Sequence, residues 1–161
     1  MFFPNDLASK LKENMQQRQT GHNSSSNIVL SCTINADARR IFQALIEPEY
    51  RELWMRMPSQ DEGGHICASK SRDLFRLDYH RFGKLEVSIF GSYHTCRRRR
   101  QVFSWWKNAP NSTVSLVELC LEGSFSSSVL RLTHRGLDTK AEYVWHTAMW
   151  RASLARLTSI F

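Results

Sequence analysis

Three side chains of this sequence could do acid–base chemistry inside a protein: Tyr93, Glu118 and His134. His134 follows Leu130 and Leu132 at alternating positions, so its imidazole should share their face of a strand. There it would either orient a ligand at a mostly apolar wall or bond to a neighbouring group and stabilise a turn. A general base also needs an orienting partner within hydrogen-bond reach. No sequence neighbour of His134 clearly supplies one, so the sequence favours the structural role.

Candidate metal ligands are sparse. His94 and Cys96 are predicted to share one face of a strand, and His80 is nearby in sequence. A metal site needs three or four converging ligands, whereas this pattern offers two. The four cysteines of the chain form no C-x-x-C pair, which leaves neither a zinc knuckle nor a redox motif. We therefore expect no metal and no cofactor.

The run RRRRQVFSWW places four arginines beside three aromatic rings. A basic patch beside exposed rings can hold single-stranded nucleic acid, but strand alternation puts Phe103 and Trp105 on one face and Trp106 on the other. The net charge is +7, and the run supplies four of those charges, so the basicity is local. A solvated turn is favoured, an anion or acidic partner is the main alternative, and nucleic acid is disfavoured. The patch consists of Arg97, Arg98, Arg99 and Arg100.

Glu118 and Arg131 lie on neighbouring predicted strands. Facing inward, they could polarise a carbonyl or bind a carboxylate. Facing outward, they would form an ordinary cross-strand pair, which is the arrangement we expect.

Several elements must position these side chains. Alternation predicts a strand over Ile28–Ile34, and Asp37 is a suitable N-cap for a helix that ends before Pro48. From Arg72 the period changes to two, which predicts a meander of about five strands with a bulge at Gly91. The pattern therefore gives a strand, two short helices and then an antiparallel meander.

The last segment predicts one long helix. Thr139 and Glu142 form a capping-box pattern at its start. An apolar stripe follows at helical spacing: Tyr143, Thr147, Trp150, Leu154, Leu157 and Phe161. A sheet with one apolar face needs a cover, and only this helix is large enough. The expected class is α+β, with a curved antiparallel sheet of about six strands wrapped around the C-terminal helix.

Four segments resemble the SRPBCC superfamily, also called START-like or Bet v 1-like. ADARRIFQALIEPEYRELW resembles its first-helix signature and QVFSWW its aromatic strand. LRLTHRGL and HTAMWRASLARL resemble its late strand and closing helix. The similarity is greatest to the branch named for the activator of the heat-shock chaperone ATPase. The resemblance implies a helix-grip fold but no single function, because this fold hosts lipid carriers, hormone receptors, cyclases and chaperone cofactors.

The resemblance implies a cavity between helix and sheet whose wall is also the core. Twelve residues are predicted to line it: Trp54, Phe75, Leu77, Tyr93, Phe103, Trp105, Leu130, Leu132, His134, Tyr143, Trp150 and Leu154. The expected function is non-catalytic binding of a small hydrophobic or amphipathic molecule. Two alternatives stay open: a cyclase or hydrolase using the acid–base groups named above, and a protein-interaction or co-chaperone-like module using the arginine turn.

The 161 residues fit one domain. Residues 1–27 are predicted to be an N-terminal extension, a short helix with a serine-rich linker, and residues 28–161 the SRPBCC-like domain. No apolar run is long enough to cross a bilayer, and no signal-peptide pattern is present. The sequence therefore predicts a cytoplasmic protein with reduced thiols and no membrane insertion, and leaves open whether it forms a homodimer.

Overall fold

The computed structural model describes residues 27–55, 57 and 63–161. Within these residues there are three helices: α1 (Ala38–Ile46), α2 (Pro48–Trp54) and α3 (Lys140–Ile160). The strands are β1 (Ile28–Ile34), β2 (Gly64–Ser71), β3 (Leu74–Arg81), β4 (Lys84–Arg97), β5 (Arg100–Lys107), β6 (Ser115–Gly123) and β7 (Ser128–Arg135). The predicted N-terminal helix and linker, and most of the predicted loop before β2, lie outside the described residues.

The strands form one antiparallel sheet in the order β1-β7-β6-β5-β4-β3-β2. Strands β2 to β7 follow one another as a meander, and β1 returns beside β7. Buried residues alternate with more exposed ones along β6 and β7, and α3 packs over the inner face of the sheet. The predicted fold class is confirmed.

Strand β2 is the element that sequence reasoning missed. Its eight residues, GHICASKS, bury only Ile66, because β2 is an edge strand that pairs with β3 alone. An edge strand with one buried residue gives almost no alternation of hydrophobicity. The described sheet therefore has seven strands rather than about six.

Gly91 does not form the predicted bulge. It pairs regularly with Phe75 on one side and Trp105 on the other, and the register shifts after Tyr93 instead. A Cβ at position 91 would lie 2.0 Å from the ring of Phe75. The glycine is needed because this ring crosses the backbone of β4.

Replacing Gly91 with alanine is expected to destabilise the fold by about 1–3 kcal/mol, the usual cost of overpacking a core. The measurement is urea unfolding of the variant and the parent protein. In a protein that already carries Phe75→Ala, the Gly91→Ala substitution should cost much less, because the ring that clashes with the new Cβ is absent. Additive effects of the two substitutions would contradict this account of Gly91.

The helix starts agree with the sequence. The Asp37 carboxylate accepts from the backbone N–H of Arg39 at 2.6 Å, and the Thr139 hydroxyl accepts from that of Glu142 at 3.1 Å. The buried face of α3 is rotated from the predicted stripe, so Tyr143 and Thr147 are only half-buried. The buried residues of α3 are His146, Met149, Trp150, Ser153, Leu154 and Leu157.

None of the helices in the described part of the chain has the length and apolar character needed to cross a bilayer.

Candidate functional site

The interior between α3 and the sheet contains two groups of buried polar side chains. The first, here called the imidazole–indole cluster, consists of Trp105, Ser115, His134, His146 and Trp150. The sheet contributes the first three of these residues, and α3 contributes the other two. Each is at most 5% exposed. His146 and Trp150 are four residues apart, so they lie on one face of the helix.

His134 has both ring nitrogens engaged. The Trp150 indole N–H donates to Nδ1 at 3.0 Å, and Nε2 lies 2.7 Å from the Ser115 hydroxyl. Since an indole can only donate, Nδ1 must carry the lone pair and Nε2 the proton. The Ser115 hydroxyl then accepts from His134 and donates to the Trp105 carbonyl at 3.1 Å. This chain of bonds fixes His134 as a neutral imidazole.

His146 is fixed in the opposite tautomer. Its Nε2 accepts from the Trp105 indole N–H at 3.1 Å, so Nδ1 carries the proton and donates to the Glu142 carbonyl at 2.8 Å. Burial lowers the pKa of His146 to about 4, against the opposing effect of the Glu142 carbonyl; the Lys107 ammonium adds to the lowering. Burial also holds the pKa of His134 well below its usual value, and His146 lowers it further. Neither histidine offers a free lone pair to abstract a proton.

The three sequence candidates for acid–base chemistry are not brought together. Glu118 accepts from Arg100 at 2.7 Å and lies 3.8 Å from Arg135, on the opposite face of β6 from the buried Val117 and Leu119. Glu118 therefore faces outward, as expected, but it pairs with Arg100 and Arg135 rather than with Arg131. Tyr93 and His134 face inward but are three strands apart in the ladder, which is about 14 Å along the sheet.

The second group, here called the arginine–tyrosine cluster, consists of Arg51, Phe75, Tyr79 and Tyr93. Arg51 belongs to α2 and is only 3% exposed. Its Nε donates to the Leu45 carbonyl at 2.8 Å, and an Nη donates to the Tyr93 hydroxyl. The guanidinium carbon lies 4.0 Å from the centre of the Phe75 ring. Among the described residues, no carboxylate forms a salt bridge with Arg51.

The electrostatics of this second cluster are those of a cation held out of water. Burial lowers the pKa of Arg51, with Tyr93 opposing the shift, although a guanidinium stays charged in proteins. Burial raises the pKa of Tyr93 and of Tyr79, and the charge of Arg51 opposes both shifts. The Tyr79 hydroxyl is fully buried and has no hydrogen-bond partner among the described residues. The buried Arg51 cation thus has no described salt bridge, although the charge of Glu47 acts on it from a distance.

The predicted cavity residues do lie together in the interior. Eleven of the twelve are buried and Tyr143 is half-buried at the margin. Their rings contact one another, with centroids 5.3 Å apart for Phe75 and Phe103 and 5.1 Å for Trp105 and Trp150. They form a packed core, so their ligand-binding role stays a prediction.

A bulge separates His94 from Cys96, which the sequence predicted to share one face of a strand. The register shifts between Tyr93 and Thr95, so that Cys96 pairs with the inward-facing Gln101. His94 instead bonds to the Ser104 hydroxyl at 2.6 Å. His80 lies elsewhere, beside His65 and Cys67 on β2.

The arginine run forms the turn between β4 and β5, as expected. Arg98 and Arg99 occupy the turn itself, and Arg100 is paired with Glu118. A cleft of about 290 Å³ opens beside the turn and is also lined by Arg39 and Phe125. Phe103 and Trp105 are buried, so they cannot provide a stacking surface for bases.

Comparison with known proteins gives a likeness of structure only. The chain matches no protein-family model and no curated protein. CV1439 from Chromobacterium violaceum superposes with a TM-score of 0.68 at 14% identity, covering 84% of this chain and 96% of that one. CalU16 from Micromonospora echinospora superposes with a TM-score of 0.59 at 18% identity, covering 84% of this chain and 74% of that one. DynU16, a protein of the dynemicin biosynthetic locus, superposes with a TM-score of 0.54 at 14% identity, covering 83% of this chain and 46% of that one. The chain therefore has a helix-grip fold.

Identities this low show the helix-grip fold alone, so the superfamily suggested by the sequence, and the branch within it, stay predictions. The chain spans less than half the length of DynU16. Chemistry particular to this helix-grip protein must therefore be argued from its own side chains.

Sequence reasoning missed Arg51, the most unusual residue of the helix-grip interior. A signal was present, since Arg51 precedes Trp54 by three residues and therefore shares its face of α2. A charged residue on an apolar stripe is normally read as a long side chain that reaches water. Here the guanidinium stays inside, beneath α2.

A shallow groove of about 190 Å³ also separates β1 from the second half of α3. Leu30 and Cys32 line one side of it, and Leu154 and Thr158 line the other. It lies along the seam at which the helix meets the edge of the sheet.

Proposed function

We propose that this helix-grip protein binds a small amphipathic molecule that carries an acidic group, without catalysing a reaction on it. The observation that carries the proposal is the buried Arg51. Removing a cation from water costs several kcal/mol even after the protein relaxes. The cation–π contact of Arg51 with the Phe75 ring offsets only about 2 kcal/mol of this cost. A buried cation that forms no salt bridge with a described carboxylate is an expensive feature, and an anionic ligand would offset its cost.

The surroundings of Arg51 suit such a head group. A guanidinium can hold a carboxylate through two parallel hydrogen bonds. The buried Tyr79 hydroxyl is a further donor without a described partner, and Tyr93 already bonds to the guanidinium. An apolar pocket with a few placed polar groups is the usual design of a small-molecule site.

The apolar tail would lie along the inner face of the sheet, towards Phe103 and Trp105. The Phe103 and Trp105 rings contact each other, and Trp105 also contacts Trp150, so the tail must part them. The gain is about 25 cal/mol per Å² of apolar surface removed from water, before the costs of association and ordering. Selectivity would come from the head group.

The test compares an alkyl carboxylate with the alcohol of the same chain length by titration calorimetry. We expect the carboxylate to bind at least about tenfold more tightly, since a hydrogen bond to a charged group contributes about 1.5–3 kcal/mol. Arg51→Met should abolish this preference while the protein still unfolds cooperatively on heating. A preference that survives in Arg51→Met would contradict the proposal, as would equal affinities for the two probes in the parent protein.

A second candidate function rests on the cleft beside the arginine turn. Arg39, Arg98 and Arg99 line it, and Phe125 at its edge is 86% exposed. Such a surface could take an acidic segment of a partner protein. Arg39→Met is the matched control in the same titration. If the carboxylate preference is lost in Arg39→Met and falls steeply with added salt, the exposed cleft is the anion site. If it is lost only in Arg51→Met, the site is the interior.

A further inference from the structure

Two histidines and a cysteine converge on the outer face of the sheet at its β2 edge. His65 and Cys67 are two residues apart on β2, so they point to the same side. His80 on β3 is the direct cross-strand partner of His65. One ligand atom from each of the three residues lies within 4.8 Å of the others. We infer that His65, Cys67 and His80 form a binding site for a transition-metal ion of the Zn²⁺ class.

A second observation supports this inference. The Nδ1 of His80 is buried and has no hydrogen-bond partner among the described residues. Buried polar atoms are nearly always paired, and an unpaired one needs an explanation. The rings of His65 and His80 are stacked at 4.7 Å with an angle of 5° between their planes. Two imidazoles and a thiol are thus held side by side, with one nitrogen unsatisfied.

The geometry needs only a small adjustment to bind an ion. Zinc bonds of about 2.0–2.3 Å in a tetrahedral site place ligand atoms roughly 3.3–3.8 Å apart. The side chains must therefore close by about 1 Å. Rotation about χ2 of a histidine is soft, so both rings can turn towards one ion without movement of the strands.

The ligand set selects the class of metal. Imidazole and thiolate suit Zn²⁺ and its neighbours in the transition series, whereas Mg²⁺ and Ca²⁺ prefer oxygen ligands. Asp78 is the cross-strand partner of Cys67, but its carboxylate already accepts from Arg76 and Ser88. The described residues therefore supply three ligands, which leaves a fourth position for water. His65 and Cys67 are exposed, so the ion can enter directly from solvent.

Co²⁺ is the probe that tests the site, because a bound thiolate gives it a near-ultraviolet charge-transfer band. The full chain, with thiols kept reduced, should develop this band on titration, and Zn²⁺ should abolish it by displacing Co²⁺.

Cys67→Ser should eliminate the band. Cys96→Ser, which changes another exposed thiol, should leave it intact. His65→Gln should keep the thiol but weaken Co²⁺ binding at least about tenfold, since loss of even an outer-shell partner costs about 10–100-fold. Circular dichroism confirms that each variant is folded. A band that persists in Cys67→Ser, or disappears in Cys96→Ser, would overturn the inference. So would the absence of any band in the parent protein.

Discussion

Replacing Trp150 with alanine is expected to lower the free energy of unfolding by about 3–5 kcal/mol, the cost of truncating a large aromatic side chain in a core. Trp150 is fully buried and contacts the Trp105 ring. Its indole also donates the hydrogen bond that fixes the tautomer of His134. Urea unfolding of the variant and the parent protein measures the difference.

Two matched variants divide this loss into its causes. Trp150→Phe keeps most of the apolar contact but leaves Nδ1 of His134 without a donor, which should cost about 1–3 kcal/mol through the unpaired buried group. Trp106→Ala removes a tryptophan from the outer face, where it stacks on Phe90, and should cost less than Trp150→Ala. If Trp150→Ala cost less than about 1 kcal/mol, α3 would not pack on the sheet as described.

Mild acid is expected to destabilise the fold through His134 and His146. In the unfolded chain each imidazole takes up a proton near pH 6.5, whereas burial lowers the pKa of both in the folded chain. The unfolded state therefore binds more protons below pH 6.5, so stability is full above that pH and falls as the pH drops. With a folded pKa of about 4, His146 alone should account for roughly 3 kcal/mol of loss between pH 6.5 and 4.

Urea unfolding measured at a series of pH values tests this expectation. His146→Gln is the matched variant, because a glutamine oxygen can still accept from the Trp105 indole but does not titrate. The free energy of unfolding of His146→Gln should fall less steeply between pH 6.5 and 4 than that of the parent protein. The difference between the two slopes should correspond to about one bound proton per molecule. An unchanged slope would mean that His146 does not stay neutral in the folded core.

The framework of the fold could be predicted because its signals are local. Alternation placed Phe103 and Trp105 on the same face of a strand, and single capping residues such as Asp37 and Thr139 marked the helix starts. These features depend on residues a few positions apart. Such features can be recognised from the sequence without knowledge of the tertiary structure.

The chemistry of the interior could not be predicted because it depends on distant partners. Trp105 and His146 are 41 residues apart in the chain and meet only through the packing of α3 on β5. His65 and His80 meet through the register of β2, a strand too polar to be recognised. Arg51 was missed because a charged residue is rarely buried without a partner.

The bonds from the two buried indoles have a mechanical consequence for the helix-grip fold. They fasten the first half of α3 to β5 and β7, through His146 and Trp150. The second half of the helix runs beside the groove at β1. If helix and sheet part to admit a guest, the motion should pivot about the indole bonds and open widest at the far end of α3. The first half of α3 would then stay fixed while its far end moves, with His134 and His146 at the pivot.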